Sequence, residues 1–597
     1  MKNLKGDFTM KKIISILLCV LMVFSCTGVA FAADENTYTP DYDEDTPVVV
    51  LHGIGQNNTY ILDEDGNRKL DSTGDYMTGW PLEIDVGALI SRILPNFIFS
   101  IITRQDNGLS DAMREGAYEF LYAIHKDNEG NYENDVEVPC YNVPMSEMPK
   151  EEREHIYDMI PLRRCGEIIG EDNLYYFGYD SLGDIQATTD RLHKYINEIV
   201  LPQTGAKQVN ICPISLGGTV AVNYIDKYPE DHGLIKKMVY VVPAIDGSDI
   251  VGDVLTGNLS IYDDETLYNK LLVTLMGDTY TTYLLNIVLR ILPSTVLRQA
   301  LEGLCEGAVE AAIRNTTQLW ALCPTKYYPE AREKWLSDDE HAVIREKVDA
   351  FMEARADLEE NTSSIIANGG SVYDIVCYDL ELFPLTADYR TTNSDGIIQS
   401  ASTSMGATFA PLGATLGENY VAKGTYCSKP SHNHLSPDGM VDATTGLLPC
   451  TTWYFKGQSH EDLANNDVVL TLATELMTDD NMIDVYSNPV AYPQFNNARS
   501  IRLFNRNIEL WNKTDKSALS ADKADAIEKA IADLNALKGE TVIDREKWLE
   551  AESALEAALV SAGLKEDTSP SCFESMLTGA FKGMNSAVNS IFSKIEK

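Results

Sequence analysis

No Cys-x-x-Cys pair occurs anywhere in the 597 residues, so the sequence offers no zinc site of the paired-thiolate type. Basic residues are scarce: 48 lysines and arginines face 90 aspartates and glutamates, a formal net charge of −42. That deficit excludes a nucleic-acid partner, whose phosphates need a basic face, and a polybasic grip on anionic lipid. Apolar runs long enough to span a membrane are missing too. The stretches 89–99 and 283–292 each carry an arginine, and the first a proline, so neither reads as a membrane span. What remains is globular, 44% hydrophobic and 23% charged. At ~100–200 residues per domain, the length implies about three domains, or one enlarged domain with an appendage.

The N-terminus sets a compartment. Met10-Lys11-Lys12, the apolar run Ile13 to Phe24 and the small-x-small site Ala30-Phe31-Ala32 have the form of a secretory signal peptide over residues 1–32. The expectation is a protein that is secreted, extracellular or associated with the cell surface. Cys19 and Cys26 leave with that segment. Nine of the 11 cysteines remain, spread from Cys140 to Cys572, and an odd, sparse set is no disulfide framework. Cys427 and Cys450 are open to either reading, a bonded pair or two free thiols.

Residues 33–511 alternate between strand and helix patterns. Unbroken runs such as Val48-Val49-Val50-Leu51 and Leu174-Tyr175-Tyr176-Phe177 read as buried parallel strands. Further runs are 208–212, 237–242 and 372–377, with helical patterns over 184–200 and 219–228. This predicts an α/β fold, a mostly parallel sheet with helices on both faces. Two segments interrupt the alternation, about 84–150 and 250–365, and are expected as extra core or as a cap over an apolar cleft. Residues 512–597 form a helical tail. Ile527, Ala530, Ile531, Leu534 and Leu537 repeat at helical spacing, as do Trp548, Ala551, Leu555, Leu559 and Ala562. A last stripe of Phe573, Leu577, Phe581, Met584, Val588, Ile591 and Ile595 predicts an amphipathic helix. Docking on the rest of the chain is its first reading, and contact with a surface or membrane interface the second.

The chemistry centres on a strand, then Pro213-Ile214-Ser215-Leu216-Gly217-Gly218, then a helix. A sharp strand-to-helix turn exposes the serine Oγ, and small residues after it let strand and helix approach. Pro213 stands where the usual pattern has glycine. Earlier in the chain, Val49-Val50-Leu51-His52-Gly53-Ile54-Gly55 places a tight loop at a strand end. A tetrahedral intermediate needs two fixed N–H donors. Those of Ile54 and Leu216 are the candidates, with His52 shaping the loop.

Together these segments resemble the α/β-hydrolase superfamily, most closely its secreted bacterial lipases and esterases, over roughly residues 45–500. The resemblance implies a serine nucleophile, then an acid, then a histidine in chain order. Of nine histidines only His432, His434 and His460 follow the fifth strand. His460, after the aromatic run Trp453-Tyr454-Phe455, is similar to the way such lipases present their base. Two Asp-Gly turns compete for the acid. Asp395 is the first after strand five, and Asp438 is the alternative. Some bacterial lipases hold a structural calcium ion near this region. Asp462 is the one hint of it, without a ligand set, so no cofactor or metal is expected. The implied activity is hydrolysis of carboxylic, lipid-like or long-chain esters. Acyl transfer by the same residues is the enzymatic alternative. A surface-binding protein on an inactive scaffold is the other, since the tail resembles helical modules in surface proteins of Gram-positive bacteria.

Overall fold

The β-branched and aromatic runs form seven strands: β1 (Val48–Leu51), β2 (Leu174–Phe177), β3 (Val209–Pro213), β4 (Ile235–Val241), β5 (Ser371–Tyr378), β6 (Thr452–Lys456) and β7 (Phe495–Asn496). In this computed structural model the described residues are 38–595, apart from 72–73, 82–85, 497–501, 515, 517–518, 539–544 and 566–571. The signal segment expected at 1–32 lies outside them. The strands join in the order β7-β6-β5-β4-β3-β1-β2, and every pairing is parallel. The chain leaves β1 for β2 on one side and returns to β3 on the other. This makes a switch point at the C-terminal ends of β1 and β3, where open α/β sheets bind ligands. The α/β fold class expected from the sequence is therefore observed.

Both faces of the sheet are covered. Val209 and Ile211 of β3 enter one core with Ile185 and Leu192 of α1 (Ile185–Lys194) and Val220 and Tyr224 of α2 (Gly217–Lys227). The residue between them, Asn210, points the opposite way, as strand alternation requires. Its Nδ2 donates to Met477 O of α3 (Asp467–Thr478) at 2.8 Å. Caps set where two of these helices begin. The Asp184 carboxylate accepts from the Gln186 and Ala187 N–H groups, and the Asn466 side chain accepts from Val468 and Val469. The pattern predicted as one helix over 184–200 changes at Tyr195 into a wider π turn, Tyr195–Val200.

The two interrupting segments pack on each other. Helix Leu109–Phe120 crosses helix Ser294–Ala308 so closely that a Cβ added to Gly303 would lie 2.4 Å from Ser110 O. One added to Gly307 would lie 2.2 Å from Arg114 O. Around this crossing Leu109, Leu271, Leu292, Val296 and Leu297 form a separate core, onto which Ile93, Phe97 and Ile101 of helix Val86–Thr103 pack. The other side of that helix leaves Leu94, Ile98, Phe99 and Ile102 exposed. Among the described residues no single helix is long and apolar enough to cross a membrane. A small antiparallel sheet of Thr59–Ile61, Thr78–Trp80 and Val136–Glu137 was not foreseen, because two or three residues are too few to leave a periodic signal.

In the tail, helices Ala521–Lys538 and Arg545–Ser561 bury Ile527, Ala530 and Leu534 against Leu555 and Leu559. Val468 of α3 packs on the same cluster. The last helix, Cys572–Ile595, lies against helix Tyr280–Leu289, with the Phe581 and Tyr280 rings 6.3 Å apart and Lys582 Nζ 2.9 Å from Asp278. Of its predicted stripe, Leu577, Phe581 and Val588 are half-buried and Met584 is exposed. The side chains of Phe573, Ile591 and Ile595, and that of Trp548, lie outside the described residues.

The helix crossing gives a direct test. Gly307→Ala forces a methyl against a backbone carbonyl, and overpacking of this kind costs roughly 1–3 kcal/mol. The urea midpoint should fall accordingly; an unchanged midpoint would show that the helices do not meet at this glycine.

Candidate active site

Ser215 lies one residue beyond β3, after Ile214, and holds φ at +52°, a conformation a side chain adopts at a cost. Two neighbouring strands hold it there. The Ile214 N–H donates to Leu51 O at 2.9 Å, and the Ser215 N–H donates to Val241 O at 3.0 Å. The next residues explain the two glycines. A Cβ on Gly217 would sit 2.5 Å from Leu51 O, and one on Gly218 would sit 2.7 Å from Pro243 Cβ. Pro213 is the last residue of β3, in register with Leu51 at the end of β1. Its missing N–H leaves a gap in the pairing with β4, which runs to Ile211–Met238 and resumes at the Ile214–Val241 bridge.

The other sequence-predicted residues converge on this serine. His460 Nε2 lies 2.9 Å from Ser215 Oγ. His460 Nδ1 lies 2.7 Å from Asp395 Oδ2. Asp395 is fully buried, and its second oxygen accepts from the Ile397 and Ile398 N–H groups at 3.0 and 2.7 Å. The His460 N–H also donates to Asp395 O at 2.9 Å, so the loops after β5 and β6 are joined through backbone and side chain. Burial disfavours the imidazolium. The Asp395 charge and hydrogen bond, with Glu461, more than offset it, and the His460 pKa stands raised.

Asp438, the alternative acid, is engaged elsewhere. It accepts from Lys456 Nζ at 2.9 Å, Tyr378 OH at 3.0 Å and the Ser436 hydroxyl. Burial pushes its pKa up, and the Ser436 hydroxyl, the Lys456 ammonium and the Met440 N–H bring it below the ordinary carboxylate value. His432 and His434 sit together beside Cys427 and Cys450. His52 is buried, with Nδ1 2.7 Å from Gly53 O and Nε2 3.0 Å from Tyr179 O, and its ring stacks on Tyr179. Burial lowers its pKa to about 4, which keeps it neutral while it shapes the loop. No calcium-type ligand set gathers around Asp462 among the described residues; its carboxylate accepts from the Asn465 side chain.

The β1 loop passes beside the serine: a Cβ on Gly53 would lie 3.1 Å from Ser215 Cβ. Among the described residues the N–H groups of Ile54 and Leu216 have no protein acceptor. Gln56, which sequence reasoning missed, steadies the loop. Its Oε1 accepts from the Gly53 N–H at 2.6 Å, and its Nε2 donates to Met159 O at 3.2 Å. A cavity of about 460 Å³ opens at Ser215, Ile54 and His460. Its walls are mostly apolar, with Ile160, Leu162, Leu463, Val469 and Leu470 among the lining residues. None of its lining residues belongs to 84–150 or 250–365, the segments expected as a cap. The side chains of Ile160 and Leu162 sit between two short helices, where no periodic pattern marks them as cavity walls.

No protein-family model and no curated protein sequence matches the chain. Among solved structures the chain is similar to one in the crystal structure of the Tle4–Tli4 complex. Identity is 14%, over 72% of this chain and 97% of that one, with a TM-score of 0.28.

The histidine can be tested alone. In histidine-selective NMR, with the signal assigned by its loss in His460→Gln, the His460 ring should titrate above the ordinary 6.5. Asp395→Asn should lower that midpoint by removing the charge that favours the imidazolium. No downward shift would show that Asp395 does not control it.

Proposed function

We propose that this chain is an exported serine hydrolase that cleaves carboxylic esters of apolar acyl groups. The observation that carries the reading is the relay from Ser215 through His460 to Asp395, with contacts of 2.9 and 2.7 Å, at an apolar cavity. Ser215 Oγ attacks the ester carbonyl carbon while its proton passes to His460 Nε2. The Ile54 and Leu216 N–H groups take the oxyanion, each worth roughly 2.7–4 kcal/mol in such sites. The imidazolium, held in orientation by Asp395, gives its proton to the leaving alkoxide as the C–O bond breaks. Water then adds to the acyl-enzyme with His460 as base, and the carboxylate leaves as Ser215 regains its proton.

Three features support an apolar, uncharged substrate. The cavity walls are aliphatic, and Glu461 is the charged side chain at the cavity beside His460. The net charge of −42 repels strongly anionic molecules. Leu94, Ile98, Phe99 and Ile102, with Leu275, Met276 and Leu284 on the second segment, leave apolar side chains exposed where a lipid surface is a natural neighbour. Export rests on the leader over residues 1–32. Acyl transfer to an alcohol uses the same groups and differs only in which nucleophile meets the acyl-enzyme.

A fluorophosphonate probe should label the wild type at Ser215 and leave Ser215→Ala unlabelled. On p-nitrophenyl esters, Ser215→Ala should lose roughly 10⁴–10⁶-fold in kcat. kcat/KM should fall on acidification through the raised His460 pKa, because the base must be neutral to accept the serine proton. Rates should favour long acyl chains over short ones. Absence of Ser215-dependent labelling would overturn the reading, and equal rates on short and long chains would remove its lipid-like part.

A further inference from the structure

Far along the chain from Ser215, four side chains converge that the relay does not use. Cys427, His432 and His434 come from an irregular stretch between Pro411 and Leu435, and Cys450 from the turn just before β6. Their ligand atoms all lie within 4.8 Å of one another. We propose that Cys427 Sγ, His432 Nδ1, His434 Nε2 and Cys450 Sγ form a closed structural zinc site. The absence of a Cys-x-x-Cys pair had argued against one, and the fold supplies the site from another spacing.

The distances fit. With Zn–S near 2.3 Å and Zn–N near 2.0–2.1 Å, the sulfur-to-nitrogen edge of a tetrahedron is about 3.6 Å. Cys427 Sγ lies 3.6 Å from His432 Nδ1, Cys450 Sγ lies 3.6 Å from the same nitrogen, and Cys450 Sγ lies 3.7 Å from His434 Nε2. Both cysteines are free thiols. A disulfide, with sulfurs about 2.05 Å apart, would satisfy the two cysteines and leave the two imidazoles facing them without a reason.

The surroundings orient one histidine for metal. Gln494 Nε2 donates to Pro449 O at 2.8 Å and to Thr452 O at 3.1 Å, which fixes the amide and turns Oε1 toward His434 Nδ1 at 2.8 Å. An amide oxygen only accepts, so Nδ1 carries the hydrogen, and the Nε2 lone pair points at Cys450. This is the outer partner that metal-bound histidines use. Tyr486 packs its ring 4.7 Å from the His432 ring. Two thiolates and two imidazoles select zinc over harder cations such as calcium, and four protein ligands leave no open position for chemistry. Binding releases the two thiol protons. The ion would tie a long irregular segment to the start of β6, the strand that leads to His460.

The test uses the full chain, purified without chelator from zinc-supplemented medium. About one zinc per chain should survive dialysis, and X-ray absorption should show two sulfur and two nitrogen neighbours at about 2.3 and 2.0–2.1 Å. Cobalt(II) in its place should give the thiolate charge-transfer and intense ligand-field bands of a tetrahedral site. The Cys427→Ser/Cys450→Ser double variant should lose at least 10-fold in bound zinc. If that variant does not fold, the absorption and cobalt spectra of the wild type decide. Wild type without retained zinc, zinc bound without sulfur, equal zinc in a folded double variant, or a Cys427–Cys450 disulfide in the purified chain would each overturn the proposal.

Discussion

The approach of α2 to the end of β1 is the constraint on which the candidate site depends. Gly217 passes so close to Leu51 O that no side chain fits, and the turn that brings it there forces Ser215 to φ +52°. The strain, of order 1–3 kcal/mol for such a residue, persists because β1 and β4 each take a hydrogen bond from the turn. The result is a serine whose Oγ faces out of the sheet while its backbone is fixed on both sides. The same crowding brings the β1 loop beside it, with Gly53 so close that an added Cβ would lie 3.1 Å from Ser215 Cβ.

His460 and Asp395, the other two side chains of the candidate site, are joined to each other twice over. The Asp395 carboxylate spends one oxygen on two backbone N–H groups and the other on His460, while its carbonyl receives the His460 N–H. A histidine held by both backbone and side chain of one acid keeps its tautomer and direction. This is why Asp438 cannot exchange roles with it: the Lys456 ammonium and Tyr378 hydroxyl hold that carboxylate in a separate network. Two turns of the same local form thus divide into one that faces the histidine and one that braces β6.

Of the two readings their positions allowed, the long segments take the one of extra core. Apolar stretches between core strands read equally as cap or as core. Here they cross each other at Gly303 and Gly307 and build a second core of their own. The cavity is walled instead by residues 159–162 and 463–473, which are short segments, with Ser215 and His460 among the other lining residues. The helical tail packs on α3 and on the second segment, through Val468 and through the Tyr280–Phe581 contact.

The parallel sheet was legible in the sequence, because strands buried on both faces must be apolar without alternation, as in Val48 to Leu51. The serine turn was legible for the same kind of reason: strand, turn and helix are contiguous, and the glycines that permit them stand beside Ser215. His460 and Asp395 were named through family resemblance and chain order, and Asp438 stayed open. Their separation in sequence carries no distance, and only the packing of β5 against β6 decides which carboxylate meets which imidazole. Cys427 and Cys450 were read as a pair or as free thiols, and His432 and His434 as rivals to His460, but their convergence in one cluster was not read. Its members come from two loops, and local spacing carries no signal for side chains that meet through tertiary packing alone. Local physics determined what each segment could become, and the long-range contacts decided which reactive groups share one place.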